Sequence, residues 1–600
     1  MSFPIDASPA PSHRPGSEVS APATVVASVL DYDILCVIFD GNRGPQGILT
    51  NSDLVRCALI SRAFSEAALR ALWKNPPTLR PLWHVLAPPN LKFPKKDDET
   101  EEYFDKIESA GLHKDAAYWR RLVGYARHIQ NINAEHLFDQ RDANLLELVL
   151  HENGTGRPFF PSLRSLQLSP TICTIPSFCR LFASTVRNLK CSIKFKDEPE
   201  DNEELRVLHN IANAVGSLQG TSSQLSWIYV EKRARESLLA SKAELELLHN
   251  ISGLRSLQNI TLRLSVIPAS TVVSLAAIPT LNFLELGTVV VDLAVPAHKV
   301  TSPALRVLRL QGRSTGVLAT LRGLYAPVLR TLNVNVTDFT STPNIFSCVA
   351  EAVTNTVNPN VFCHFSAILG DWTVPNALER LNRILRPFAP LHALRDIKLS
   401  SESTFLPFIA SDAEFADILG NARWSQLEEF VLDGLLLGDR ESRPSTSILC
   451  YFRASCPNLR TLVLPSLRVE VNQPQPLIDA ALSSSPRHPL RLLRLIGGGK
   501  VWASLDPYVR SIFPTLGLSQ DESYRGLAWQ GPVPRSLLWV VLEEDTKLSE
   551  ARSRSSELAG SEPNLLPIHL PFPHAEIERS AIVGVTRYLR RLPYRNHKGT

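Results

Sequence analysis

Short apolar phrases recur along most of the chain, each with a leucine, or valine in one copy, followed by apolar residues three and five positions later. The clearest copies begin at residues 161, 279, 303, 327 and 457, and further copies begin at 185, 224, 256, 393, 426, 489 and 536. Successive side chains of a strand point to opposite faces, so the last two apolar positions share one face. The pattern therefore predicts a series of short strands with one common buried face.

The spacing of these copies indicates a repeat architecture. Their first leucines are separated by 24 residues in one part and by 31 to 33 in another: Leu257, Leu281, Leu305 and Leu329, then Leu394, Leu427, Leu459 and Leu490. The gap of 65 residues between the two series leaves room for one more copy near residues 361–369. Periods of 20–50 residues are typical of stacked repeats, in which neighbouring units bury the face that one unit cannot bury alone.

Between the strands, amphipathic segments such as 411–422 and 476–485 predict return helices. We therefore expect an α/β fold over residues 116–545, an irregular leucine-rich-repeat solenoid of short parallel strands and return helices. The turns after four of the strands lack the usual asparagine or cysteine and hold Thr171, Arg313, Thr337 and Leu467, which predicts the irregularity. Arginine follows the first leucine in six copies, and the pattern leaves open whether these arginines lie on the concave face or the rim.

Residues 24–86 form a dense apolar segment in which we expect three or four helices. The stretch "DLVRCALISRAFSEAALRALW" (53–73) is apolar on nearly all sides, with Ser52 or Asp53 as the expected N-cap and the prolines after Trp73 ending the helix. A helix with two apolar faces must bury the second one against something. Phe64, Ala68 and Leu72 are expected to pack within the protein itself.

The remaining segments are polar. Residues 1–23 are rich in proline and serine and predict a disordered leader, residues 87–115 predict a charged linker, and residues 546–600 predict a partly disordered tail with a basic end. The chain carries 63 basic and 59 acidic residues, a balance that favours neither nucleic acid nor membranes as partners. Its nine scattered cysteines, an odd number, indicate reduced thiols and hence an intracellular protein, cytoplasmic or nuclear.

No pattern in the sequence assembles a catalytic centre. The glycine-rich stretch "IGGGKV" (496–501) has Arg494 where a phosphate-binding loop begins with glycine, and Val501 where serine or threonine would hold magnesium. We therefore expect no catalytic residue, no metal and no cofactor, and treat an enzyme as the least favoured class.

Two motifs in the opening segment resemble an F-box, the short helical module that docks substrate receptors onto Skp-family adaptors of cullin–RING ubiquitin ligases. The first motif is matched by Leu30, Asp33, Ile34, Leu35, Ile38 and Phe39, and the second by Asp53, Leu54, Cys57, Ile60, Ser61, Arg62 and Phe64, followed by Leu72 and Trp73. Asp31 occupies a position at the adaptor contact where the family usually has proline. Together with the repeats, the segment 24–86 resembles fungal, basidiomycete-type F-box proteins with degenerate leucine-rich repeats.

The resemblance implies a non-catalytic adaptor that binds a Skp-family protein, and through it a cullin, while the solenoid holds a protein substrate. It implies adaptor contacts at eight positions: Leu30, Ile34, Leu35, Ile38, Leu54, Cys57, Leu59 and Ile60. Outward strand positions are the candidate substrate contacts: Ser165, Gln167, Arg309, Asn333, Lys398 and Val463. The alternative is a repeat scaffold outside any ligase, in which the F-box-like segment caps the solenoid.

Overall fold

The computed structural model describes the chain from residue 34 to residue 539 with gaps, the longest being 41–48, 87–99, 370–378, 469–487, 497–507 and 517–527. The leader, the tail and the return helix expected at 476–485 lie outside the described residues. The described helices are α1 (34–40), α2 (Asn51–Ala58), α3 (Arg62–Lys74), α4 (Arg80–Leu86), α5 (Thr100–Ser109), α6 (Ala117–Ala126), α7 (Gln140–Asn153), α8 (Pro170–Cys173), α9 (Asp201–Ser217), α10 (Lys242–Ser252), α11 (Ala269–Ala276), α12 (Ser314–Gly323), α13 (Ile345–Thr356), α14 (Leu381–Leu385), α15 (Asp412–Asn421), α16 (Ile448–Ser455) and α17 (508–512).

Strands alternate with these helices from residue 131 onward, which makes the fold α/β. They are β1 (Asn131–Asn133), β2 (Ser165–Leu168), β3 (Asn188–Ile193), β4 (Trp227–Lys232), β5 (Asn259–Arg263), β6 (Ile267–Pro268), β7 (Phe283–Val290), β8 (Val300–Thr301), β9 (Val307–Gly312), β10 (Leu324–Tyr325), β11 (Thr331–Val336), β12 (His364–Leu369), β13 (Glu379–Arg380), β14 (Asp396–Ser401), β15 (Leu406–Ile409), β16 (Glu429–Asp433), β17 (Leu435–Leu437), β18 (Thr461–Pro465), β19 (Leu492–Ile496), β20 (Ala528–Gln530) and β21 (Leu537–Trp539).

The main sheet grows one strand at a time in chain order, as β1-β2-β3-β4-β5-β7-β9-β11-β12-β14-β16-β18-β19-β21-β20. Neighbouring strands are parallel up to β21, and β20 joins antiparallel at the end. Every repeated phrase of the sequence contributes a strand, and β12 occupies the gap in which one more copy was expected. Shorter parallel strands form two small sheets, β8 with β10 and β13 with β15 and β17.

The buried face of the sheet carries the apolar positions that the phrases predict. Leu284, Leu308 and Leu332 stand in register on three adjacent strands and are fully buried. The first leucines, such as Leu281 and Leu305, are buried in the same core. Helices fill the connections and close this core from the other side, because a parallel connection must return to the start of the next strand. The sequence prediction of a shared buried face is confirmed.

A continuous ladder of backbone hydrogen bonds runs along the edge where the strands begin, and we call it the edge ladder. Each amide donates to the carbonyl of the preceding member in the series Gln130, Arg164, Arg187, Ser226, Gln258, Asn282, Arg306, Arg330, Cys363, Arg395, Glu428, Arg460 and Arg491. The recurrent arginines are ladder members and are exposed, so they lie on the rim. The amide of Gln130 donates to the carbonyl of Lys74 at 2.9 Å, so the end of α3 forms the first rung.

Helices α3 to α6 are packed against the first strands. The ring of Trp73 stacks on Tyr125 with centroids 5.0 Å apart, and Trp83 is buried with its Nε1 donating to Asp142 at 2.8 Å. The prolines after α3 end that helix at Lys74, as the sequence predicts. This part of the opening segment therefore belongs to the same core as the strands.

Part of the segment expected to be a charged linker is folded. Residues 100–109 form α5, in which Tyr103 and Ile107 are 4% and 1% exposed and belong to the main core. These two apolar residues are four positions apart and so share one helix face, while Glu102, Asp105 and Lys106 are exposed. The polar composition concealed this short apolar stripe.

All nine cysteines are free thiols, in agreement with the sequence prediction. Burial raises the pKa of Cys456 to about 12, so this thiol stays protonated and packs as an apolar side chain. Within the described part of the chain, no helix combines the length and the apolar character that crossing a membrane requires.

His488 predicts a pH dependence of stability. Burial lowers its pKa to about 4, and its Nε2 lies 2.9 Å from the carbonyl oxygen of Cys456. An unfolded histidine has a pKa of about 6.5, so the unfolded state binds more protons than the folded state between these two pKa values. Stability from this residue is therefore complete above the unfolded pKa and falls, by at most about 1.4 kcal/mol per pH unit, as the pH drops toward 4.

Urea unfolding at several pH values between 7 and 5 checks this expectation. The His488→Gln variant should lose less stability over that interval than the wild type, because glutamine does not titrate. Equal losses in both proteins would contradict a buried neutral histidine at this position.

Candidate functional site

Helices α1, α2 and α3 form a small unit with its own apolar core. The buried members are Phe39, Leu54, Ala67, Ala68 and Ala71. The ring of Phe64 packs edge-on against Phe39 with centroids 6.2 Å apart. As predicted, Phe64, Ala68 and Leu72 pack within the protein, although Phe64 and Ala68 belong to this small core rather than to the core of the strands.

Polar contacts fix the first two helices of this unit. Lys74 Nζ on α3 forms an ion pair with Asp40 Oδ2 at the end of α1, at 2.8 Å. The N-cap of α2 is Thr50 rather than Ser52 or Asp53: the Asp53 amide donates to Thr50 Oγ1 at 3.2 Å, and the Thr50 amide donates to Asp53 Oδ2 at 2.9 Å. This reciprocal pair satisfies two backbone amides, an advantage that a cap at Ser52 or Asp53 would lose.

Apolar side chains remain exposed on α1, on α2 and on the two residues that follow α2, and we call them the exposed apolar set. Its members are Ile34, Val37, Ile38, Val55, Leu59 and Ile60. Leu59 is 83% exposed and Val37 is 72% exposed. Helix α1 has apolar residues on both faces, because Leu35, Cys36 and Phe39 turn to the small core while the intervening residues turn away. The small core therefore covers only one of its two apolar faces.

The positions that the resemblance implies for adaptor binding divide into three groups. Ile34, Ile38, Leu59 and Ile60 are exposed, whereas Leu35 and Cys57 are half-buried against the small core. Leu54 is fully buried, which corrects its assignment as a contact, because α2 turns this residue toward Phe39 and the alanines of α3. Leu30 lies outside the described residues.

Sequence reasoning missed two members of the exposed apolar set, Val37 and Val55. Val37 stands three residues after Ile34 and belongs to the same helix face as Ile34 and Ile38. Helical spacing from Ile34 would have found it. No spacing signal singled out Val55, because its exposure depends on where α2 meets α3.

The second candidate surface is the outward face of the main sheet. The pairing register aligns one residue from each strand in a row: Asn133, Gln167, Lys190, Tyr229, Thr261, Glu285, Arg309, Asn333, Ser366, Lys398, Val431, Val463 and Arg494. Five of the six predicted substrate contacts lie in this row, and the sixth, Ser165, lies in the row beside it. The register therefore brings the predicted positions onto one face.

Ion pairs cross this face from strand to strand. Glu285 Oε1 accepts from Arg263 Nη2 at 2.8 Å, and Glu285 Oε2 accepts from Arg309 Nη1 at 3.2 Å. Further along, Lys398 Nζ lies 2.6 Å from Glu429 Oε2. Polar groups that already pair with one another present directed donors and acceptors without a large net charge, a property suited to binding a polar protein surface.

Val463 is a correction to the predicted substrate contacts. It is only 5% exposed although it faces outward. Arg494 on β19 and Asp433 on β16 are joined by an ion pair of 4.0 Å that crosses the strand between them, which is β18, the strand of Val463. The pair covers the valine, so Val463 packs beneath it.

A bulge shapes the outward face near its middle. The register between β7 and β9 shifts after Leu286, so that Gly287 and Thr288 stand opposite the single residue Gln311. Thr288 has a φ of 55°, a left-handed conformation that threonine rarely adopts. A pocket of about 210 Å³ opens beside the bulge and is lined by residues of five strands, among them Arg263, Glu285, Arg309, Gln311, Asn333, Asn335 and Ser366.

One acid–base pair lies on the outward face: His364 Nδ1 is 2.5 Å from Asp396 Oδ2 on the adjacent strand. Thr331 stands beside His364 in the register, but no hydrogen bond joins its hydroxyl to the imidazole. An activated hydroxyl nucleophile needs such a bond. Among the described residues no cluster of three or more histidine, cysteine or acidic side chains could hold a metal ion.

No protein-family model matches the chain, and no curated protein matches it.

Proposed function

We propose that this chain is the substrate-recognition adaptor of a Skp/cullin/F-box-type ubiquitin ligase, with an F-box-like unit at α1–α3 and an irregular leucine-rich-repeat solenoid. It binds a Skp-family protein, and through it a cullin, with the exposed apolar set. It binds a protein substrate with the outward face of the main sheet. It is non-catalytic and intracellular, and other subunits carry out ubiquitin transfer.

The observation that carries the proposal is the exposed apolar set. Six aliphatic side chains on two short helices stay in water although the small core beneath them is already complete. Burying one such side chain contributes about 1.5–3 kcal/mol, so a partner that covers several of them gains substantial binding energy. The F-box-like sequence of the same helices supports a Skp-family protein as that partner.

The alternative is a scaffold outside any ligase in which the opening helices cap the repeats. The edge ladder favours it, because the carbonyl of Lys74 on α3 forms the first rung. That observation gives a capping role to α3 and the helices that follow it. It leaves the exposed apolar set on α1 and α2 without a role, which is why we prefer the adaptor.

Co-purification of the full chain with a Skp-family protein tests the proposal. The wild type is expected to form a stoichiometric complex, and the Val37→Lys, Leu59→Lys double variant is expected to bind about 100-fold less, because two exposed apolar contacts become charged. Val123→Lys with Leu245→Lys is the matched control, since these residues are exposed aliphatics on α6 and α10.

The control variant should bind like the wild type. A wild-type chain that is folded and monodisperse but captures no Skp-family protein would overturn the adaptor and favour the scaffold. Equal loss of binding in both variants would show that the exposed apolar set is not the docking surface.

A further inference from the structure

A cleft of about 630 Å³ lies where α3 meets the residues that lead into β1, β2 and β3, away from both surfaces described above. Its lining consists of Glu66, Arg70, Arg127, His128, Gln130, Pro161, Ser162, Arg164, Thr185, Arg187 and Gln224. We call it the basic cleft, because four of these residues are arginines and one is acidic.

The positive charge of the basic cleft is only partly neutralised. Its one carboxylate, Glu66, lies 3.8 Å from Arg127, and both side chains are more than half exposed, so this pair is weak. Arg187 Nε donates to the neutral Gln224 at 3.2 Å. Among the described residues, Arg164 has neither an ion pair nor a side-chain hydrogen bond. An anion that binds Arg164 would therefore not have to displace an internal partner of that guanidinium group.

The pKa of His128 is affected by the positive charges of the basic cleft. Burial lowers its pKa first, and the charges of Arg127 and Arg70 lower it further, while Glu66 opposes them. A cation beside two arginines is disfavoured because like charges repel. The ring is thus held neutral at neutral pH, and its Nε2 accepts a hydrogen bond from Arg127 Nε at 3.3 Å.

Arg164 and Arg187 lie close enough along the rim to bind one anion together. Arg164 and Arg187 are consecutive members of the edge ladder, and the Arg187 amide donates to the Arg164 carbonyl at 2.8 Å. Adjacent strands lie about 4.8 Å apart, so the two arginine side chains begin at nearly that separation on the same rim, within reach of one anion. Guanidinium groups bind phosphate oxygens through paired, charge-assisted hydrogen bonds, and clusters of arginine are the usual recognition element for phosphorylated side chains.

The lining also indicates what carries the phosphate. It contains no phenylalanine, tyrosine or tryptophan, the side chains on which the bases of a single-stranded nucleic acid stack. Pro161, Ser162 and Thr185 form a small uncharged wall that can accept the backbone and neighbouring side chains of a peptide. We infer that the basic cleft binds a phosphoserine or phosphothreonine side chain of a partner protein. This inference goes beyond the proposed function, because it does not depend on what covers the exposed apolar set.

Fluorescence anisotropy with the full chain tests the inference. The probe is a labelled pool of nonapeptides with a central phosphoserine and randomised flanks, and the same pool without phosphate is the reference. The phosphorylated pool should bind at least tenfold more tightly, and Arg164→Gln with Arg187→Gln should remove about tenfold of its affinity or more. Binding should weaken as ionic strength rises.

Arg306→Gln with Arg330→Gln is the matched control. These arginines are also consecutive members of the edge ladder and also exposed, but they do not belong to the lining that Arg70 and Arg127 share with Arg164 and Arg187. The control should keep wild-type affinity. Both double variants change only exposed side chains, and their unfolding midpoints and their capture of a Skp-family protein should match the wild type, which separates this inference from the proposed function.

Four outcomes would overturn the inference. They are equal binding of the two pools, equal losses in the two double variants, inorganic phosphate bound as tightly as the phosphopeptide pool, and a single-stranded oligoribonucleotide bound more tightly than that pool in a manner that needs Arg164 and Arg187. The third outcome would indicate a small-anion site and the fourth a nucleic-acid site.

Discussion

The Leu308→Ala variant is expected to lose about 2–5 kcal/mol of its free energy of unfolding, one of the two largest effects that the structure predicts. Leu308 is fully buried and stands in register between Leu284 and Leu332, which are also fully buried. Alanine would leave a cavity, because the neighbouring strands are tied to one another by their hydrogen bonds and cannot close in. The destabilisation includes both the lost burial of the side chain and this cavity.

A second substitution, Leu462→Ala, tests the same register at the other end of the sheet. Leu462 is fully buried between Phe430 and Leu493 in the strand register. We expect a destabilisation in the same range of about 2–5 kcal/mol. The control is Val307→Ala, a half-exposed position on the outward face beside Leu308, which should cost less than about 1 kcal/mol.

Urea unfolding followed by far-ultraviolet circular dichroism measures these effects as shifts of the midpoint. Stacked repeats unfold in more than one step when their cooperativity fails, so the midpoint of the affected transition is the quantity to compare. Unchanged midpoints for both leucine variants would mean that the strand register places the wrong residues in the core.

The second large effect concerns Gly316. A Cβ atom at this position in α12 would lie 2.6 Å from the Val289 carbonyl oxygen and 2.7 Å from the Val290 Cα. Both atoms belong to the backbone of the bulged strand β7, so neither can move aside as the tip of a side chain would. Gly316→Ala is therefore expected to destabilise the protein by about 1–3 kcal/mol, as overpacking of a core does.

Gly420→Ala should act in the opposite direction. Gly420 lies in α15, and a Cβ there would meet nothing within 4 Å. Alanine has a higher helix propensity and restricts the unfolded chain, which together stabilise by about 0.4–1 kcal/mol. Thermal unfolding of the two variants should thus shift with opposite signs. A stabilised Gly316→Ala protein would be incompatible with the close approach of α12 to β7.

The bulge links this packing to the outward face. Gly312 has a φ of 159°, and a Cβ there would also collide with the backbone of Val289. Two glycines on neighbouring elements therefore let β7 follow its displaced path, and that path opens the pocket beside Glu285 and Arg309. Bulges often redirect side chains near functional sites, which is consistent with substrate binding on this part of the face.

The sequence predicted the interior of the sheet well because the signal is local. Within a strand, alternation alone assigns residues to two faces, so Leu308 and Arg309 are separated without knowledge of any neighbour. The recurrence of the phrase every 24 to 33 residues then fixes which strands are equivalent. The strand at residues 364–369 was expected from spacing although its phrase is poorly preserved.

The candidate sites were predicted less completely because exposure depends on neighbours. Leu54 and Leu59 are both apolar residues of one short segment, yet the first is fully buried and the second is 83% exposed. The difference comes from the side on which α3 packs. The alternation along β18 assigns Val463 to the outward face. It is nevertheless buried, because Arg494 and Asp433 on the flanking strands form an ion pair above it.

By itself, the sequence determined the α/β character of the chain, the order of its strands, the residues of its buried face and the apolar excess of its opening helices. Each of these follows from period and composition, which act over a few residues. The tertiary structure decided the folding of α5 onto the core, the membership of the exposed apolar set and the existence of the basic cleft. The basic cleft unites Arg70 and Arg127 with Arg164 and Arg187 only because the end of α3 forms the first rung of the edge ladder, a contact that no local pattern encodes.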